Sequence, residues 1–101
     1  SGYQVNPKML GYQLCVYVGI MLTKASMYKS VSTELEKIPE IVESQFTLGA
    51  YSMLIKLYAK DDQHLMELLN SKIQEIPGVA NTETLTSLDQ RINRTLPVGI
   101  E

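Results

Sequence analysis

The stretch from Ile41 to Lys60, IVESQFTLGAYSMLIKLYAK, predicts a β-hairpin. Its first run ends at Leu48, and its second run begins at Tyr51. Only Gly49 and Ala50 lie between them, so no helix fits in the connection and the two strands must be antiparallel. The second run alternates apolar residues with others, as a half-buried strand does. The alternating set is Tyr51, Met53, Ile55, Leu57 and Ala59.

A helix is expected on each side of this hairpin. Residues 26–38 place apolar side chains on one stripe at helical spacing, and Pro39 ends that helix because the residue before a proline is pushed out of the helical region. After the hairpin, Asp61 and Asp62 offer an N-cap for a second helix. This helix runs to Ile76 with one apolar face.

Two more strands are expected outside the helices. Residues 12–22 carry no charge and are rich in Val, Ile, Leu and Tyr, which favours a strand with apolar residues on both faces. Residues 79–88 are rich in Thr and predict a fourth strand. Residues 89–101 show no clear period, and we expect them to be ordered by packing elsewhere, such as on a partner subunit.

The resulting order is strand, helix, strand, strand, helix, strand, and a weak internal repeat supports it. Each half has a helix that ends at Ile-Pro and a strand that follows, at residues 38–42 (IPEIV) and 76–80 (IPGVA). This order predicts an α+β fold, a ferredoxin-like βαββαβ sandwich. Its four-stranded antiparallel sheet has both helices on one face, with the first and third strands central.

The other face of this sheet would be left uncovered by the two helices. A contiguous row of exposed apolar residues usually marks a contact site. The simplest cover is the same face of a second copy, so we expect a two-fold dimer formed through this face.

Composition limits the classes of function. The 101 residues make one domain. A net charge of −2 argues against nucleic-acid binding by this chain alone. The single cysteine, Cys15, allows no intrachain disulfide, which fits a protein of the reducing cytoplasm. We expect the Cys15 side chain to be buried. The only histidine, His64, is expected at the solvated surface. No signal peptide, membrane-spanning run, metal-ligand spacing, cofactor motif or catalytic motif is recognisable.

Three segments resemble one family of regulators. They are NPKMLGYQ at residues 6–13, TLGAYSMLIKLYAKD at 47–61 and IQEIPGVANTETLTSL at 73–88. In this order and spacing they resemble the C-terminal domain of the Lrp/AsnC transcription regulators, also called feast/famine regulatory proteins. Within that family, the Tyr-Ser pair after the glycine and the IQ…TET pattern are most similar to the asparagine regulators.

The resemblance implies an amino-acid-sensing and oligomerisation domain rather than an enzyme. It implies that residues 1–10 are a linker strand from an N-terminal helix-turn-helix domain, through which the full-length protein binds DNA. Residues 11–101 are then the effector-binding and oligomerisation domain. Dimers of this domain would assemble further into an octamer, and the implied effector is asparagine or a similar amino acid.

The resemblance also implies where the effector binds. In the family, the effector lies between dimers, near the glycine turn that joins the second and third strands. Glycine permits a close backbone approach there, and successive backbone N–H groups can hold a carboxylate. The matching positions are Thr47, Leu48, Gly49, Ala50, Tyr51 and Ser52, together with Gln74, Thr82, Glu83 and Thr84.

Two of these positions carry chemistry that bears on the effector. Ser52 stands where many relatives have an acidic residue, and its hydroxyl suits a neutral amide side chain. A buried Glu83 would pair with the ammonium group of the effector. Without the resemblance, Gly49 is equally a simple hairpin glycine, and residues 82–84 are an ordinary edge strand.

Two other functions remain open on the sequence. A small ferredoxin-like enzyme, of the monooxygenase or isomerase type, would need a pocket between sheet and helices lined with His, Arg or Tyr, and no such cluster is visible. A stand-alone amino-acid sensor without DNA binding differs from the first hypothesis only in the chain that precedes this domain.

Overall fold

The computed structural model describes residues 6–99. It contains one four-stranded sheet in the order β2-β3-β1-β4, and every neighbouring pair is antiparallel. The ferredoxin-like prediction is therefore confirmed, with the first and third strands in the centre. The strands and α-helices are β1 (Leu14–Leu22), α1 (Tyr28–Leu35), β2 (Ile41–Phe46), β3 (Met53–Ala59), α2 (Asp62–Glu67) and β4 (Val79–Leu85).

The core lies between one face of the sheet and the helical layer. Alternate residues of β1 and β3 point to this face because side chains switch sides at every step along a strand. In the register, Val18 lies opposite Ile55, and both side chains are fully buried. The helical layer contributes Val31, Leu35, Ile38, Leu68, Ile73 and Ile76.

The first helix is shorter than predicted. A 3₁₀ turn at Ala25–Met27 precedes α1, and the helix ends at Leu35 rather than at Ile38. The amide of Ile38 instead donates to the carbonyl oxygen of Leu35 at 3.0 Å, which tightens the last turn. Ile38 still reaches the core, with 7% of its surface exposed.

The second helix changes type midway. After α2 the chain continues as a π-helix, Leu68–Ile73, rather than as the α-helix to Ile76 that the apolar stripe predicts. The physical reason is burial: Leu68 and Ile73 are five residues apart, and both are almost fully buried. A π turn, in which residue i bonds to i+5, brings residues at this spacing closer to one face than an α turn does.

The strands also end earlier than predicted at several points. β1 begins at Leu14 rather than at residue 12, β2 ends at Phe46, β3 begins at Met53, and β4 ends at Leu85 rather than at residue 88. Beyond β4 the chain follows no regular structure through Gly99, and every residue there is exposed.

The predicted linker strand is not extended where the structure describes it. Pro7–Leu10 forms a 3₁₀ helix, capped by the side chain of Asn6, because proline presets φ for a helical turn and Asn6 accepts from the amide of Lys8. Residues 1–5 lie outside the described residues.

Within residues 6–99, no α-helix packs on the second face of the sheet, which we call the open face. Its central residues are Cys15, Tyr17, Met21, Leu54, Lys56 and Tyr58. It is mixed rather than a plain apolar row, because Lys56 lies 3.7 Å from a carboxylate oxygen of Glu43. Cys15 is exposed on this face, so the expectation that it is buried is wrong.

Candidate functional site

The turn between β2 and β3, residues 47–52, is closed by its own end residues. The amide of Thr47 donates to the carbonyl oxygen of Ser52 at 3.0 Å. The Thr47 hydroxyl donates to the carbonyl oxygen of Tyr51 at 2.8 Å. Gly49 has φ of +145°, which disfavours any residue with a Cβ. The turn is therefore a small closed loop whose shape depends on Thr47 and Gly49.

The tip of this turn offers unused backbone donors. Within residues 6–99, the N–H groups of Leu48, Gly49, Ala50 and Tyr51 take part in no hydrogen bond. The first three residues are exposed, and Leu48 is 98% exposed despite its apolar side chain. Successive free N–H groups favour an anion such as a carboxylate.

Tyr51 leaves the turn and crosses the open face of the sheet. It was expected in the apolar set of the third strand, but it precedes β3, and its ring lies over Gly19 in the middle of β1. An added Cβ at Gly19 would lie 2.7 Å from Cε1 of Tyr51, well inside ordinary carbon contact. Only a residue without a side chain leaves room for this ring.

The Tyr51 hydroxyl donates to Oε1 of Glu83 on β4. The register explains this contact, because Glu83 lies opposite Gly19 and so points to the same face as the ring. The hydrogen bond to Glu83, then partial desolvation and the negative charge of Glu83, raise the pKa of Tyr51 above its usual value. Glu83 is exposed, so the expectation that it is buried is wrong.

Ser52 is used inside the sheet. Its amide donates to the carbonyl oxygen of Ile20 at 2.9 Å, and its hydroxyl accepts from the amide of Leu22 at 3.4 Å. These contacts extend the β1–β3 pairing to the residue that precedes β3. Ser52 therefore fixes the turn to the sheet, and its hydroxyl already has a backbone partner.

The remaining predicted site residues lie on the other side of the sheet. Thr82 and Thr84 are opposite Ile20 and Val18, so their side chains point toward the helical layer. Gln74 follows the π-helix, and its side-chain amide donates to the carbonyl oxygen of Ala80 at 3.5 Å. The structure thus brings the turn, Tyr51 and Glu83 together on one face and separates them from these three residues.

None of the ten predicted site residues lines the cavities that open beside Ser44, Pro39 and Gln13 on the described part of the chain. The candidate site is an exposed turn and an exposed carboxylate. A ligand of amino-acid size would need a further surface to enclose it.

Gly19 is a site residue that the sequence analysis missed. A signal was present, because a glycine inside an apolar strand usually marks a bulge or a close approach by another group. Its neighbours on β1 gave no indication of which group approaches, since Tyr51 is 32 residues away in the chain.

His64 also differs from its expected role. Its Nδ1 accepts from the amide of Lys60 at 2.9 Å, and its Nε2 lies 3.2 Å from Oε2 of Glu40. The ring is therefore held between α2 and the start of β2, and its interpretation as a solvated surface residue is wrong. Oε1 of Glu40 is buried without a hydrogen-bond partner among the described residues.

Residues 6–99 hold neither a metal-binding cluster nor a membrane-spanning helix. No group of three or more His, Cys, Asp or Glu side chains there is arranged to hold a metal ion. No helix in the same range has the length and apolar character required to cross a membrane.

Comparisons with known proteins identify related sequences. Residues 15–97 match the family model of the Lrp/AsnC ligand binding domain. The regulatory protein AsnC of Escherichia coli is 39% identical over 92 residues, which are 91% of this chain and 60% of that protein. An HTH-type transcriptional regulator of Pyrococcus horikoshii is 36% identical over 93% of this chain and 62% of its own length. The chain thus spans about three fifths of these relatives.

Solved structures give the same result. The structure of E. coli AsnC superimposes with a TM-score of 0.86 at 38% identity, over 95% of this chain and 64% of that one. A transcriptional regulator of Neisseria meningitidis in complex with L-methionine has a TM-score of 0.86 at 16% identity, over 98% of this chain and 66% of that one, and shows the shared fold. The relatives are named as regulators, which favours the regulatory hypothesis over the enzyme. By its sequence match and its fold, the chain belongs to the Lrp/AsnC ligand-binding domain family.

Proposed function

We propose that this chain is the amino-acid-sensing and oligomerisation domain of a DNA-binding transcription regulator of the Lrp/AsnC type. The observation that carries the proposal is the exposed turn 47–52, with four successive N–H groups free at its tip, in a member of a ligand-binding family. These donors suit the carboxylate of an amino acid, and Glu83 suits its ammonium group.

The ligand class follows from the pairing of these two groups. An α-amino acid carries both charges on one carbon, so it can contact a turn and a nearby carboxylate together. The neighbours crystallised with L-methionine share this fold. Asparagine or a similar neutral amino acid is our first candidate, but the Ser52 hydroxyl is engaged by Leu22, so the basis for amide selectivity is weaker than the sequence suggested.

The assembly forms part of the same proposal. A dimer joined through the open face would cover Tyr17 and Leu54, and further association into an octamer would bring other surfaces to the turn. The site is incomplete in one chain, which supports a pocket that a neighbouring copy closes. DNA binding is assigned to a helix-turn-helix domain preceding residues 1–10, and the protein would act in the cytoplasm.

The test is calorimetric titration of a panel of amino acids, asparagine and methionine included, with light scattering on the same samples. We expect one or a few neutral amino acids to bind and to change the mass of the assembly. An assembly that binds none of the panel would contradict the proposal.

A pair of glycine variants tests the site itself. Gly49→Ala strains the turn because φ is positive there, and we expect weaker binding. Gly11→Ala is the matched control, because Gly11 also has positive φ and open space around its Cβ position but lies outside the turn. Equal effects of the two variants on affinity would exclude the turn as the site.

A further inference from the structure

Gly19, Tyr51 and Glu83 form a contact that links the turn to the edge strand β4. The ring of Tyr51 fills the space that a side chain at Gly19 would occupy. The ring thereby places the phenol on the carboxylate of Glu83. All three of the atoms nearest to the missing Cβ belong to Tyr51, so the glycine is required by this one ring.

The contact occupies the group that the proposed ligand needs. Oε1 of Glu83 accepts from the Tyr51 phenol, and an ammonium group would hydrogen-bond to the same carboxylate. A charged donor forms a stronger hydrogen bond to a carboxylate than a neutral phenol does, so exchange is favourable. The exchange would release Tyr51, which is attached directly to the turn that holds the carboxylate of the ligand.

We propose that Gly19 is a positioning residue that seats Tyr51 on Glu83, and that this phenol competes with the ammonium group of the amino-acid ligand. The inference rests on the proposed function for the identity of the ligand. The Tyr51–Glu83 contact then has a free-energy cost that the ligand must offset when it binds. It also makes the position of Tyr51 on the open face depend on whether ligand is present.

The first experiment needs no ligand. Ring resonances of Tyr51 are identified in the full chain by comparison with Tyr51→Phe, and we expect Glu83→Gln and Gly19→Ala to shift them. Gly19→Ala should also lower the thermal midpoint of the wild-type chain. In a Tyr51→Ala background it should lower the midpoint much less, because the ring that it displaces is gone. An equal loss in both backgrounds would overturn the positioning role of Gly19.

The second experiment measures affinity for the amino acid that binds the wild-type chain best. Tyr51→Phe keeps the ring on Gly19 and removes the competing hydroxyl, so we expect binding about 3- to 10-fold tighter. Glu83→Gln should weaken binding by about tenfold or more, since a charged partner is lost. Weaker binding by Tyr51→Phe would overturn the competition and make Tyr51 a ligand contact instead.

The two failures can be separated. If neither the wild type nor Tyr51→Phe binds any amino acid, the proposed function and the competition both fail. The ligand-free cycle of Gly19 and Tyr51 then still decides whether Gly19 positions the ring. If the wild type binds and Tyr51→Phe binds equally, the function stands and the competition is wrong.

Discussion

Single residues on this sheet are determined by what lies opposite them in the register. Gly19 is the clearest case, because its strand neighbours Val18 and Ile20 are ordinary core residues while Gly19 itself accommodates a ring from a distant turn. Glu83 lies opposite Gly19 in the register, which places its carboxylate on the same face as the Tyr51 ring. The chemistry of the candidate site is therefore a property of pairs of residues.

The pH dependence of Tyr51 tests this pair. Its folded pKa is raised, so the contact favours the protonated phenol. Its contribution to stability is complete below the unfolded pKa of about 10 and is lost as pH rises through the folded value. Besides Tyr58, whose pKa is also raised by desolvation, ultraviolet titration of tyrosinate should show a late-titrating phenol that Tyr51→Phe removes. Glu83→Gln should move that phenol to lower pH, and an unchanged titration would contradict the contact.

Helix ends and helix type are decided at the scale of elements. Asp61 was expected as an N-cap, and its side chain accepts from the amide of His64 at 2.8 Å, so that prediction is confirmed. The same helix changes to a π turn because its buried residues are not at α spacing. The start of this helix is therefore set by the local sequence, whereas its change from α to π hydrogen bonding is set by packing against the core.

The N-cap gives a direct stability prediction. Asp61→Ala removes the acceptor for the His64 amide and should cost about 1 kcal/mol in the free energy of unfolding. Asp62→Ala is the control, because Asp62 lies in the first turn and contributes only through the helix dipole. Denaturant unfolding of both variants measures the difference in the free energy of unfolding. A larger loss of stability for Asp62→Ala would show that Asp62, rather than Asp61, caps the helix.

The π-helix gives a second prediction at this scale. Leu68→Ala and Ile73→Ala should each cost about 2–5 kcal/mol, since both side chains are almost fully buried. An uninterrupted α-helix would place the two side chains about 140° apart around its axis, so they would not both face the core directly and at least one substitution should cost less. Met66→Ala is the control, because Met66 is 60% exposed and its substitution should stay within about 0.5 kcal/mol. Chemical denaturation of the three variants decides between the two helix types.

The whole molecule is a sheet with one covered face and one open face. The open face mixes aromatic and aliphatic side chains with the Lys56–Glu43 ion pair. Protein–protein interfaces combine apolar and charged side chains in this way. It also carries the ring of Tyr51, so the candidate ligand site and the proposed dimer surface share a side of the domain.

The dimer prediction is tested on this face. Leu54→Glu places a charge on the central strand β3 of the open face, and we expect the assembly to dissociate toward monomer because the charge would be buried without a partner. Met66→Glu, on α2 and away from the open face, should leave the mass unchanged. Light scattering at matched concentrations measures both, and a Leu54→Glu protein that stays dimeric would place the interface elsewhere.

The class of fold and the order of the strands were predictable from patterns within the sequence. Alternation in β3, the helix stop at Pro39 and the short connection at Gly49 are local signals, and each depends only on near neighbours in the chain. The same local logic found Asp61. The family of the chain was visible from short motifs for the same reason, because their order and spacing are linear properties.

Which of the predicted residues lie together depends on the three-dimensional packing of the chain. In the folded chain Glu83 is exposed and accepts a hydrogen bond from Tyr51, and the Thr82 side chain points toward the helices. His64 lies beside Glu40, which is 24 residues away in the sequence. The positions of Glu83 and Thr82 follow from strand register, since a shift of one residue moves every side chain to the other face, whereas the His64–Glu40 contact follows from the packing of α2 beside the start of β2. Register is set by pairing between distant segments, so no local pattern contains it.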